Sequence, residues 1–171
     1  MYRSNINTGS RKLAFFDEQH KALIDQLAAS ATNGGIAVVG LHFPSCVTQS
    51  AFDNFFSSGF DLPWKRGAYH RTDFQLQRSC VLPRGVSHSS FPPPYSMKVL
   101  HVRNARPRER IFVPVSGATT QSHVLSAEPV DASQAAVTGA KIGNGYLAYC
   151  GDVNAEAGSD LVILSLCGLR G

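Results

Sequence analysis

The feature that most restricts the fold is a glycine-marked apolar strand in the first quarter of the chain. Asn33-Gly34-Gly35 leads into Ile36-Ala37-Val38-Val39-Gly40-Leu41, and an unbroken apolar run of that kind reads as a strand covered on both faces, as central parallel strands are. Upstream, Phe16, His20, Leu23, Ile24 and Leu27 recur at helical spacing and predict a helix over about residues 15–31, stopped by the Asn-Gly-Gly. Downstream, Phe52, Phe55 and Phe56 mark the inner face of a short helix over about residues 48–58, closed by Gly59. Helix, buried strand, helix predicts an α/β domain.

The rest of the chain is read more coarsely. Residues 67–77 have strand character with imperfect alternation, approached by Trp64-Lys65-Arg66 as loop. Pro83, Pro92, Pro93, Pro94 and many serines make residues 79–96 a long surface loop. Short apolar strands at 97–102 and 111–115 flank an arginine-rich loop from Arg103 to Arg110. Gly143-Asn144-Gly145 lies between two further strand-like runs, and Asn-Gly in that setting predicts a late β-hairpin. A closing helix over 161–167 is apolar nearly all round, with Ser159 as its expected cap. Residues 1–12 read as a disordered polar lead, and residues 13–171 as a single domain without internal repeats.

Composition narrows the function classes. With 43% apolar and 16% charged residues among 171, the chain is of globular type, and a domain of this size buries roughly 70% of the surface its unfolded chain exposes. A net charge of +4 is too small an excess to require a polyanionic partner, so nucleic acid is not indicated. Cys46, Cys80, Cys150 and Cys167 are widely spaced, with no C-x-x-C pair and no H-E-x-x-H, so they read as reduced thiols with no metal site. No run approaches a membrane span or a signal peptide, which makes the cytoplasm the expected compartment and a membrane partner not expected. No cofactor is indicated.

Two segments carry a family resemblance: residues 33–42, ending Val39-Gly40-Leu41-His42, and Ile142-Gly143-Asn144-Gly145-Tyr146-Leu147-Ala148-Tyr149-Cys150-Gly151-Asp152. In order and glycine placement they resemble ThuA-like proteins of the class I glutamine-amidotransferase-like superfamily. Leu62-Pro63-Trp64, residues 67–72 and residues 151–156 look similar to uncharacterised fungal members. The resemblance implies a flavodoxin-like, mostly parallel sheet with flanking helices and a site at the carboxyl ends of its strands. Against that pattern the chain would lack the first β-α-β unit, either as a shortened form or with a partner, such as a second copy, completing the sheet.

It also implies a catalytic deficit. His42 stands where the superfamily's nucleophilic Cys would sit, and Asp152-Val153-Asn154-Ala155-Glu156 where its His-x-Glu would follow the late strand. An imidazole cannot form the thioester, so standard glutaminase chemistry is not supported. His42 with Asp152 or Glu156 is the candidate catalytic set for a hydrolase-like reaction, the alternative being a strand-end histidine bound to backbone and acidic residues that cap a helix. Cys46, four residues on, is a displaced nucleophile or a small apolar filler. The spacing of Asp152, Asn154, Glu156 and Asp160 approaches a calcium loop, but Ala157 and Ile163 stand where such a loop requires Gly and Glu.

Trp64, Arg66, Tyr69, His70 and Arg71, together with Asn154, are candidate ligand contacts. Aromatic faces and cations in one segment can hold a carboxylate or phosphate, and the alternative for the segment is an amphipathic strand with a buried Trp. Three functions follow: a small-molecule-binding or assembly domain, a hydrolase-like enzyme, and weak nucleic-acid binding through the Arg103 to Arg110 loop.

Overall fold

The computed structural model of the protein describes residues 9–122, 124 and 126–170, with side-chain packing from residue 20 onward. The lead read over residues 1–12 falls largely on residues 1–8, outside the described residues, and on the start of the first helix. Helices α1 (Gly9–Thr32), α2 (Phe43–Cys46), α3 (Gln49–Phe60) and α4 (Ala157–Leu166) accompany strands β1 (Ile36–Val39), β2 (Lys65–Leu76), β3 (Tyr95–Arg103), β4 (Arg110–Pro114), β5 (Val137–Ile142) and β6 (Gly145–Cys150).

All six strands form one sheet in the order β1-β6-β5-β4-β2-β3. Only β1 and β6 run parallel; β6 with β5, β5 with β4, β4 with β2 and β2 with β3 are antiparallel. This corrects the expectation of a flavodoxin-like, mostly parallel sheet. Parallel neighbours need long crossovers, usually helical, and among the described residues no α-helix intervenes between α3 and α4. The chain therefore returns through loops and hairpins. The missing first β-α-β unit belonged to that parallel sheet and has no counterpart in this one.

The sheet also curls. Beyond its pairing with β2, strand β3 bonds to the start of β5 and the end of β6: Val102 pairs with Ala135, and the Leu100 N–H donates to the Gly151 carbonyl at 2.9 Å. The Gly151 N–H in turn reaches the Ala136 carbonyl at 2.9 Å. The result is a half-barrel with a core on each face. Phe74, Met97, Val99, Phe112, Ala148 and Val162 pack inside, closed by α4 and the long connection from β2 to β3, which ends at Tyr95 and not at the expected residue 96. Phe52, Phe56, Trp64, Leu100, Leu147 and Tyr149 pack outside, under α1 and α3. Strand β6 alternates between the two cores and is buried along its whole length, which is why its sequence is apolar throughout.

Local chemistry explains where elements stop. The expected hairpin is present: Ile142 pairs with Gly145 across a two-residue turn in which Gly143 has φ 56°, a conformation glycine adopts without penalty. Helix α3 starts at Thr48, whose Oγ1 accepts from the Ala51 N–H, but does not stop at Gly59. A Cβ there would lie 2.5 Å from Ile24 Cγ2, so Gly59 permits close approach of α1, and the helix ends at Asp61 in the left-handed region with φ 53°. Helix α4 begins four residues before the sequence suggests, with Glu156 rather than Ser159 at its N-cap.

Candidate functional site

Because β1 and β6 are parallel and in register from Ile36 with Tyr146 to Val39 with Tyr149, both strands end at the same edge. These are the two glycine-marked segments. Gly40 passes close to the end of β6, where a Cβ would lie 3.2 Å from the Cys150 carbonyl oxygen. Leu41 then takes φ 57° while 72% exposed, a left-handed conformation that costs a residue bearing a Cβ about 1 kcal/mol. That turn delivers His42 to the N-cap of α2, where it is exposed and its carbonyl accepts the N–H groups of Ser45 and Cys46.

Past β6, Asp152 is 5% exposed. Its Oδ1 accepts the Asn154 N–H at 2.8 Å and its Oδ2 the Glu156 N–H at 2.7 Å. This double acceptance folds residues 152–156 into a compact loop, with Ala155 at φ 54°, and hands the chain to α4. Between the two turns lies a pocket of about 300 Å³ whose polar lining is His42, Ser45, Cys150, Asp152, Asn154, Ser159 and Asp160. Leu41, Val153 and Ile163 supply its apolar wall.

The pocket therefore brings together His42, Asp152 and Asn154 of the residues singled out in the sequence. Glu156 is not among its lining residues; its carboxylate pairs with Arg71 across the β2 side of the loop. Asp160 and Ser45 join the site without having been selected. Asp160 had been visible only as part of a calcium-like spacing, and Ser45 carried no pattern at all.

Chemically the pocket offers hydrogen bonds more readily than a nucleophile. Burial, above all, pushes the Cys150 thiol up to about 12, so it stays protonated near neutrality. Cys46 is exposed but does not line the pocket. Both oxygens of Asp152 are engaged by backbone donors, which fixes the carboxylate in its own loop. His42, Ser45, Asn154 and Asp160 are the exposed polar groups left to meet a ligand.

The remaining candidates lie on or beside β2, away from this pocket. Trp64 is fully buried, packs on Phe56 with ring centroids 5.1 Å apart, and donates its indole N–H to Glu109 at 2.8 Å. Arg66 donates its backbone N–H to Asp53 at 2.8 Å. Tyr69 is half exposed, with the Lys98 ammonium 5.3 Å from its ring centroid. His70 stacks on His101 with ring centroids 4.3 Å apart. Arg71 reaches Ser96 and Glu156, the link between this group and the pocket loop. In the arginine loop, Arg106 pairs with Glu109 and Arg110 donates to the Ser133 carbonyl, so two of its four guanidinium groups serve the protein's own backbone and side chains.

No helix among the described residues is long and apolar enough to cross a membrane. No protein-family model matches the chain, and no curated protein matches it. Among solved structures the chain is similar to the beta-galactosidase from Bacillus circulans sp. alkalophilus, with 15% identity and a TM-score of 0.46 over 85% of this chain and 20% of that one. The chain thus spans about a fifth of that protein's length, a likeness that assigns neither fold family nor activity.

Proposed function

We propose that the chain is a small-molecule-binding domain whose glycine-marked segments resemble ThuA-like proteins in sequence but which lacks the Cys-His-Glu triad of their superfamily. The observation that carries this reading is the division of labour in the pocket. Asp152 lines it but is held by two backbone N–H groups, while His42, Asn154 and Asp160 remain exposed to accept and donate hydrogen bonds. A site of this size suits a small polar ligand, near the lower end of the range of roughly 300–1,000 Å³ for small-molecule sites. Four cysteines without a disulfide suit a reducing compartment such as the cytoplasm.

Thermal-shift screening with small amides and polyols tests the reading. Binders should raise the melting temperature of the wild type, and His42→Ala or Asn154→Ala should abolish the rise without lowering the unliganded melting temperature. Shifts that persist in both variants would place the ligand elsewhere.

A hydrolase-like reading is favoured by one specific observation, that His42 and Asp152 line the same pocket. It requires turnover that depends on His42. Nitrophenyl esters, nitrophenyl glycosides and γ-glutamyl anilides should be cleaved no faster by the wild type than by His42→Ala; a His42-dependent rate with any of them favours the enzyme.

A further inference from the structure

A second cleft lies at the opposite end of the parallel β1–β6 pair, where these strands begin. Its volume is about 790 Å³. One wall is Gly34 and Ile36, the floor is the β5–β6 turn with Lys141 and Tyr146, and the other wall is the Val81 to Arg84 stretch of the long loop. The walls are held by one side-chain and three backbone hydrogen bonds. The Tyr146 hydroxyl donates to the Val81 carbonyl at 2.6 Å and the Val81 N–H donates to the Arg108 carbonyl at 2.8 Å. Across the cleft, the Asn144 N–H reaches the Thr32 carbonyl at 3.0 Å and the Tyr146 N–H the Gly35 carbonyl at 2.9 Å. A cleft fixed on both sides loses little freedom when it is filled.

Its lining chemistry is one-sided. Ile36 and Val81 are large apolar residues left 42% and 38% exposed, and both face this cleft. Arg84 and Lys141 stand exposed beside them, no carboxylate lines the cleft, and among the described residues neither cation has an ion-pair partner. Two exposed apolar side chains beside two uncompensated cations complement an amphipathic anion: the hydrocarbon covers Ile36 and Val81 while the acid meets the guanidinium and ammonium.

We propose that this cleft binds a small free carboxylate carrying a hydrocarbon body, at a site separate from the His42 pocket. The test titrates octanoate, butanoate and octylamine into isotopically labelled full-length protein and follows backbone amide shifts. Octanoate should saturate, moving the amides of Ile36, Val81 to Arg84 and Lys141 to Tyr146 while leaving those of His42 and Asp152 in place. Apolar burial should make it bind tighter than butanoate by about threefold or more per added methylene. The exposed pair Arg84→Ala/Lys141→Ala should weaken octanoate by roughly tenfold with an otherwise unchanged spectrum. Octylamine binding as well as octanoate, shifts that never saturate, or a double variant of undiminished affinity would each overturn the proposal. None of these outcomes bears on the His42 pocket.

Discussion

Among single residues, His101 has the sharpest measurable consequence. It is fully buried on β3, its Nδ1 lies 3.0 Å from the Ala68 carbonyl, and its ring touches Phe74 and His70 with centroids 5.4 and 4.3 Å away. Nδ1 therefore carries the proton, and the buried Nε2 has no partner. Burial first, then the neighbouring His70, lowers the His101 pKa from 6.5 to about 4, opposed by the backbone at Ala68 and Val99 and least by Asp131. Burial lowers His70 as well. The unfolded chain takes up a proton near pH 6.5 that the folded chain refuses until about 4, so stability is complete above 6.5 and declines as the pH falls towards 4. The loss from His101 is about 3 kcal/mol. Urea midpoints measured from pH 7.5 to 4.5 should fall accordingly, and His101→Phe should flatten the decline while costing the bond to Ala68. A variant whose midpoint falls as steeply as the wild type's would contradict the assignment. Sequence reading selected His70 but passed over His101, because an imidazole inside an apolar strand looks like filler until its neighbours are known. Period-two alternation does place Met97, Val99 and His101 on one face, and that was the available signal.

At the scale of elements, two joints decide how the site is held. Asp152 supports the loop with both carboxylate oxygens, each bond being charge-assisted and worth about 1.5 kcal/mol or more. Asp152→Ala should cost about 3 kcal/mol in chemical denaturation. Asp152→Asn should recover only part of that, since an amide accepts at one atom and presents a donor to the other N–H; full recovery would show that one bond suffices. The second joint is Gly59. Alanine in a helix is ordinarily favoured over glycine by about 1 kcal/mol, yet here its Cβ would fall 2.5 Å from Ile24 Cγ2, a branch methyl that cannot swing away. Overpacking of this kind costs about 1–3 kcal/mol, so Gly59→Ala should lower the melting temperature. In an Ile24→Ala background the same change should become neutral or stabilising. The elements with strong local codes were legible in the sequence: the Asn-Gly hairpin, the Thr48-capped helix and the late glycine-marked strand; the strand at residues 36–39 also forms, but at the sheet edge and only half-buried, not as the central strand covered on both faces that its apolar run suggests. Helix α2 is too short to carry a period, and the full length of β2 is masked by the irregular pairing between Arg66 and Tyr69.

At the scale of the molecule, strand direction was the property least accessible to sequence. A strand buried on both faces has the same apolar pattern whether its neighbours run parallel or antiparallel, and β6 has one of each. The curl that carries β3 back to Ala135 and Gly151 depends on contacts far apart in the chain. The β1–β6 pair, the one parallel step in the sheet, is what brings His42 and Asp152 to one pocket whatever the direction of the other strands. The most direct test of the binding role is a crystal soaked with a library of small amides and polyols. The account predicts density in the pocket against His42, Asn154 or Asp160, with Asp152 still accepting the Asn154 and Glu156 N–H groups. Fragments bound only elsewhere, or an Asp152 carboxylate that leaves its loop to engage His42, would contradict it.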